Sequence, residues 1–97
     1  MIALVARYQV KAGNVDAVIE ALREMAPLVA ELEPDCSCYA VNRSREDPNV
    51  ILLYECYSDM EAIDFHRETP HFKKIIEGRV APLLDSRERE FFDVVIE

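Results

Sequence analysis

The sequence has no tryptophan, only two glycines and three cysteines among its 97 residues. Two isolated glycines form no glycine-rich loop to cradle a phosphate, and neither GxSxG nor HExxH occurs, so nothing points to a nucleotide site. A bound organic cofactor is therefore not implied. Basic residues are also scarce: 11 Lys and Arg face 19 Asp and Glu, for a net charge of -8. Without a basic stripe to neutralise phosphates, the composition argues against nucleic acid and anionic membrane as partners. No apolar run approaches the length needed to cross a membrane. An odd cysteine count without a secretion signal reads as reduced thiols. The opening MIALVARYQV sets Arg7 in an alternating pattern and offers no small-residue cleavage site. It is expected to be a first strand rather than a signal peptide, with the cytoplasm as the expected location.

What is present suits one soluble domain spanning residues 1–97, with a single hydrophobic core. Residues 2–10 alternate, with Ile2, Leu4, Ala6, Tyr8 and Val10 on one side and Ala3, Val5, Arg7 and Gln9 on the other, as a strand does. Gly13 turns the chain and Asn14 can cap a helix. That helix carries an apolar stripe from Val15 through Val18, Leu22, Met25 and Val29 to Leu32. Pro27 predicts a kink or an early end, and Glu33-Pro34-Asp35 closes the segment. Residues 36–43 and 50–57 form a second and third strand paired as a hairpin. Ser58 and Glu61 form a capping box for a second helix. Thr69 caps and Pro70 opens a third helical segment, weakened toward its end by Gly78 and Pro82. A last strand runs from about 88 to 96. The order β-α-β-β-α-β predicts an α+β, ferredoxin-like fold with one four-stranded antiparallel sheet and the helices on one face. The strands are more apolar than one covered face requires, so a homodimer packed sheet against sheet is expected.

Few residues can carry chemistry. His66 follows Ala62 by four residues and Ile63 by three, which sets it on the inward stripe of the second helix. It is either a working base or a core histidine satisfied by one hydrogen bond. Glu55 is an acid inside the apolar run VILLYECY. A buried carboxylate must find a partner or stay protonated, and His66 would meet that need. The alternatives are an edge position open to solvent or a pairing with Arg7. His71 lies in the first turn after Thr69-Pro70, where a neutral, hydrogen-bonding ring is expected. The two histidines are read as separate, with Glu55 as the partner of His66. Asn42, Tyr8, Tyr39, Tyr54 and Tyr57 are further polar groups on strands, where tyrosine more often packs than reacts. Cys36 and Cys38 alternate and so should share one face, but their spacing is not that of zinc ligands; they read as small buried hydrophobes.

The run YECYSDMEAIDFHRETPHFKKI resembles the signature of the antibiotic biosynthesis monooxygenase (ABM) domain. That signature has an acid and an aromatic ending the third strand, an acidic turn, Ala, His, and then Ser/Thr-Pro-His-Phe/Tyr. VARYQVKAGN, EPDCSCYAV and APLL are also similar. The resemblance covers nearly the whole chain. It implies a dimeric ferredoxin-like α+β barrel with a small-molecule pocket between sheet and helices. It implies oxidation of a small quinol or hydroxylated aromatic by molecular oxygen, with no metal or flavin. His66 and Glu55 would be catalytic, while Tyr57, Asn42, His71 and Tyr8 would contact the substrate. The pattern YE-x-Y-x-D-x-x-A-x-x-FH-x-x-TPH is closely similar to the branch that isomerises a phosphorylated linear dione in autoinducer-2 degradation. There Lys73, Lys74 and Arg67 would serve the phosphate, unless they are simply solvated. Haem-degrading relatives carry tryptophan where Tyr57 stands, which turns the resemblance away from that activity. A non-catalytic binding dimer on the same fold is the third alternative.

Overall fold

The computed structural model describes residues Met1–Glu97. Four strands form one antiparallel sheet in the order β2-β3-β1-β4, where β1 is Ile2–Val10, β2 Cys36–Arg43, β3 Val50–Tyr57 and β4 Leu84–Asp93. Helix α1 (Val15–Leu32), helix α2 (Met60–Glu68) and a π-helical segment α3 (Phe72–Val80) follow β1 and β3. The side chains of Ala6, Tyr8, Ile51 and Leu53 on the sheet pack with Val18, Leu22 and Met25 of α1 and Ile76 and Val80 of α3. Both helical parts therefore cover one face, as the β-α-β-β-α-β order predicts, and the alternation of β1 places Leu4, Ala6 and Tyr8 beneath them.

Several local expectations are corrected. Of the two expectations for Pro27, only the early end is overturned: the proline lies inside α1, which runs on to Leu32. Asn14 occupies the N-cap position of α1, but its side chain donates back to the Lys11 and Ala12 carbonyls instead of accepting from the helix. Asp59, not Ser58, caps α2, its carboxylate accepting from Ala62 N at 2.9 Å. Ser58 is held by the residue just before β2, its N–H donating to the Asp35 carbonyl. Thr69 does cap the next segment, accepting from Phe72 N at 3.2 Å. That segment then widens to π geometry, with Ala81 N donating to Ile76 O before a short 3-10 turn at Pro82. β4 starts at Leu84 and ends at Asp93, where its pairing with β1 reaches Ile2; Val95 and Ile96 stay exposed.

Cys36 and Cys38 do not share a face. They pair with the consecutive residues Tyr57 and Cys56, so a bulge at Ser37 turns Cys36 toward the helices and Cys38 away. All three thiols are free. Beyond the helices, the open face of the sheet displays Val5, Leu52, Tyr54 and Phe92 on neighbouring strands. No helix is long and apolar enough to cross a membrane.

Candidate functional site

Register puts Glu55 in the middle of the sheet. It stands between Leu4 of β1 and Tyr39 of β2, on the helix-covered face, and is 3 % exposed. Arg7 pairs with Leu52 and Glu88 on the opposite face. Neither the edge position nor the Arg7 pairing therefore applies. The Tyr57 hydroxyl donates to Glu55 Oε1 at 2.5 Å. The Nε2 atom of His66 stands 3.7 Å from the same oxygen, an ion-pair distance rather than a hydrogen bond. Burial pushes the Glu55 carboxyl above its ordinary range, and the negative charge of Glu33 adds to this. The Tyr57 hydrogen bond and His66 pull the other way without cancelling it. Burial first, and then Glu55, raise the Tyr57 phenol far above its usual value, so it acts as a donor.

The residue that sequence reasoning missed is Glu33, the C-cap of α1, which is 3 % exposed. Its Oε1 lies 2.8 Å from His66 Nδ1, and its Oε2 lies 2.6 Å from His71 Nε2. The two histidines thus share one carboxylate and are not separate. Burial would raise Glu33, but the hydrogen bonds from His66 and His71 outweigh it and leave the carboxyl below its ordinary range. An ionised carboxylate can only accept, so each facing ring nitrogen carries a proton. For a neutral His66 this leaves the lone pair on Nε2, the nitrogen facing Glu55. A signal for Glu33 was available: it follows Val29 by four residues and continues the buried stripe, where Leu32 turns out to be 51 % exposed.

Local structure fixes His66 tightly. It lies in the last turn of α2, its carbonyl accepts from the Thr69 hydroxyl at 2.7 Å, and Phe72 meets its ring edge-on with centroids 5.0 Å apart. The rings of Tyr57 and Tyr39 flank it at 5.4 and 6.1 Å. One side of His66 and Glu55 opens into a cavity of about 260 Å³ between the sheet, α2 and α3. Its floor is Leu4, Ala6 and Tyr8, and the small Ala6 between two larger side chains makes the depression. Tyr8 therefore reaches the site, while Tyr57 lies behind Glu55 and acts on it. Asn42 is not brought in. It pairs with Leu52 on the open-face row, donates to the Leu52 carbonyl at 3.1 Å, and borders a wider, shallow groove of about 400 Å³ beside α1. That groove holds no acid–base pair. Lys73 is tied to Glu68 at 3.0 Å, away from the cavity, whereas Arg67 lines it. Chemically, the site offers an imidazole nitrogen held in orientation by one buried carboxylate and faced by a second, in a space fit for a small molecule.

Comparison with known proteins agrees with the fold. The family model described as antibiotic biosynthesis monooxygenase matches residues 1–78. Among solved structures, a Caulobacter crescentus CB15 protein provisionally described as an antibiotic biosynthesis monooxygenase is 26% identical. The match covers 98% of this chain and 90% of that one, with a TM-score of 0.91. A Bacteroides thetaiotaomicron VPI-5482 protein with the same provisional description is 25% identical over 98% of this chain and 90% of its own, with a TM-score of 0.88. A conserved Methanosarcina mazei Go1 protein is 26% identical over 94% and 89%, with a TM-score of 0.85. No curated protein matches the sequence.

Proposed function

The chain belongs to the antibiotic biosynthesis monooxygenase family, and on that premise we propose that it is a monooxygenase acting on a small quinol or hydroxylated aromatic, with His66 as its base. One observation carries this reading: Glu33 fixes His66 through Nδ1 and leaves Nε2 free beside Glu55 in the cavity. A base for a phenol must present a lone pair at a fixed position, and its conjugate acid must be stabilised. The Glu33 contact supplies the first requirement. Glu55, 3.7 Å away, supplies the second.

The proposed sequence balances without any group beyond substrate and oxygen. His66 Nε2 takes the phenolic proton. The electron-rich phenolate gives one electron to O2, and the two radicals join in a carbon–oxygen bond. The peroxide takes the proton back from His66 as a hydroperoxide. Loss of the remaining proton from that carbon, with cleavage of the O–O bond, forms a carbonyl and releases water. One O2 is consumed; one atom enters the quinone and the other leaves as water. Glu33 positions the base throughout, and Tyr57 keeps Glu55 oriented.

The protein is further proposed to act as a homodimer, through the open face that displays Val5, Leu52, Tyr54 and Phe92. The isomerase reading is favoured by a separate observation, the three arginines that line the same cavity. Oxygen uptake with a panel of quinols and anthrones, using chelator-treated and flavin-free protein, tests the proposal. Uptake with loss of substrate supports the monooxygenase. Conversion of a phosphorylated linear dione without uptake replaces it with the isomerase, and neither reaction replaces it with a binding dimer.

A further inference from the structure

The cavity has a second polar end, opposite in charge to Glu55. Across the sheet floor, the register sets Phe91 beside Leu4, Arg89 beside Ala6 and Arg87 beside Tyr8. Successive residues on one face of a strand stand about 7 Å apart. Arg89 is therefore one step along the floor from the row that holds Glu55. Arg67, from the last turn of α2, completes the wall.

Three guanidinium groups are gathered here in a protein whose net charge is -8. Only Arg87 has a carboxylate of its own, the Glu77 side chain, held by two bonds of 2.9 and 3.2 Å. Arg89 and Arg67 form no ion pair. The nearest companion of Arg89 is the Phe91 ring, with its guanidinium carbon 5.9 Å from the centroid. Partial burial, and then the like charges of Arg67 and Arg87, disfavour the Arg89 cation. Glu77 lines the same cavity and its charge partly offsets Arg89, but both its oxygens are taken up by Arg87, so three guanidinium groups face one committed carboxylate at this end and leave room for a further counter-charge.

Tyr8 is an independent observation. It is 5 % exposed and lines the same cavity, and its hydroxyl makes no hydrogen bond within the protein. No fully buried side-chain polar atom lacks a partner. The Tyr8 hydroxyl is therefore the part of the side chain that reaches the cavity, as a donor awaiting an acceptor.

We propose that Arg89, Arg67 and the Tyr8 hydroxyl together bind an anionic substituent, a carboxylate or a phosphate, on the molecule whose reactive end meets His66. The substrate class is then a small phenol or enol that bears a negative group within about one ring of the reacting hydroxyl. The chemistry assigned to that reacting end rests on the reading of His66 given above; the anion site itself does not.

Anaerobic calorimetric titration separates the two, because it reads binding without turnover. The ligands are 1-naphthol, 4-hydroxy-1-naphthoate and 4-hydroxy-1-naphthyl phosphate, each with a free phenolic hydroxyl and the two anionic groups both para to it. At low salt, at least one of the two anions should bind about tenfold or more tightly than 1-naphthol. The advantage should shrink as salt is raised. The tighter of the two anions identifies carboxylate or phosphate as the group recognised. Arg89→Gln, and independently Arg67→Gln, should bring the ratio of anion to naphthol affinity toward one. Equal affinity for all three ligands, failure of both anions to bind, or an anion preference that survives both substitutions would overturn the proposal. A fully active His66→Ala enzyme would overturn the catalytic reading and leave this one standing.

Discussion

His66 Nδ1 lies 2.8 Å from Glu33 Oε1, although the two residues are 33 positions apart in sequence. The contact joins the end of α1 to the end of α2. Because Glu33 also receives His71 Nε2 at 2.6 Å, it ties the start of the third helical segment to the same point. One carboxylate thus closes a three-way junction and sets the tautomer of the ring that faces the cavity.

Replacing that carboxylate should be costly in a pH-dependent way. After Glu33→Gln, the new amide oxygen can accept from one ring only, and the amide NH2 then opposes the other. Hydrogen bonds to charged groups contribute about 1.5–3 kcal/mol each, so Glu33→Gln should lower stability by about 2–3 kcal/mol at neutral pH. The carboxyl of Glu33 sits below its ordinary value of 4.5 in the folded protein. Its contribution is therefore present above that value and lost as pH falls through the folded one, so the difference between wild type and variant should narrow below pH 4.5. Urea unfolding at pH 7 and near pH 4 measures both. Equal stabilities at pH 7 would remove Glu33 from the junction.

Tyr57→Phe should act on Glu55 rather than on substrate. The Tyr57 hydroxyl holds the Glu55 carboxyl down against the upward push of burial. Without it the carboxyl protonates at higher pH. If an ionised Glu55 stabilises the His66 imidazolium, the acid limb of kcat/KM must move to higher pH, with KM near neutral pH little changed. An unmoved limb with a large rise in KM would instead place Tyr57 on the substrate.

Ala6→Leu should fill the floor of the cavity of about 260 Å³. The added side chain enters space that is already open, so its cost should fall at or below the low end of the roughly 1–3 kcal/mol typical of overpacking. Ligand affinity should fall by about tenfold or more while the thermal midpoint changes by only a few degrees. Unchanged affinity in a folded variant would place the substrate elsewhere, with the shallow groove beside Asn42 as the next candidate.

Tyr54→Asp places a charge on the open face, where Tyr54 is 40 % exposed. Light scattering at micromolar concentration should give twice the chain mass for the wild type and the single-chain mass for the variant. A wild-type monomer would refute the dimer.

Period-two alternation made β1 readable to the residue, and with it the placement of Leu4, Ala6 and Tyr8 under the helices. His66 was readable because helical spacing from Ala62 and Ile63 points it inward. Glu33 was overlooked because Glu33-Pro34-Asp35 has the composition of a helix stop, and punctuation masked its place on the stripe four residues after Val29. The bulge at Ser37 depends on how two strands pair, which neither strand shows alone, and it reversed Cys38. Asn42 was given a substrate contact by the resemblance alone, and its pairing with Leu52 sets it on the open-face row. The arginines of β4 were invisible as a group, since Arg87 and Arg89 acquire meaning only when β1 lays them beside Tyr8 and Ala6. The π-helical geometry of Phe72–Val80 has no periodic signature in nine residues.

The most direct test is oxygen consumption with an electron-rich phenolic substrate by wild type and His66→Ala, with circular dichroism to confirm that both are folded. General-base catalysis contributes about 100- to 10,000-fold. Stoichiometric oxygen uptake by the wild type, with a loss of that order in the variant, is the expected result. A folded His66→Ala protein that consumes oxygen at the wild-type rate would contradict the assignment of His66 as the base.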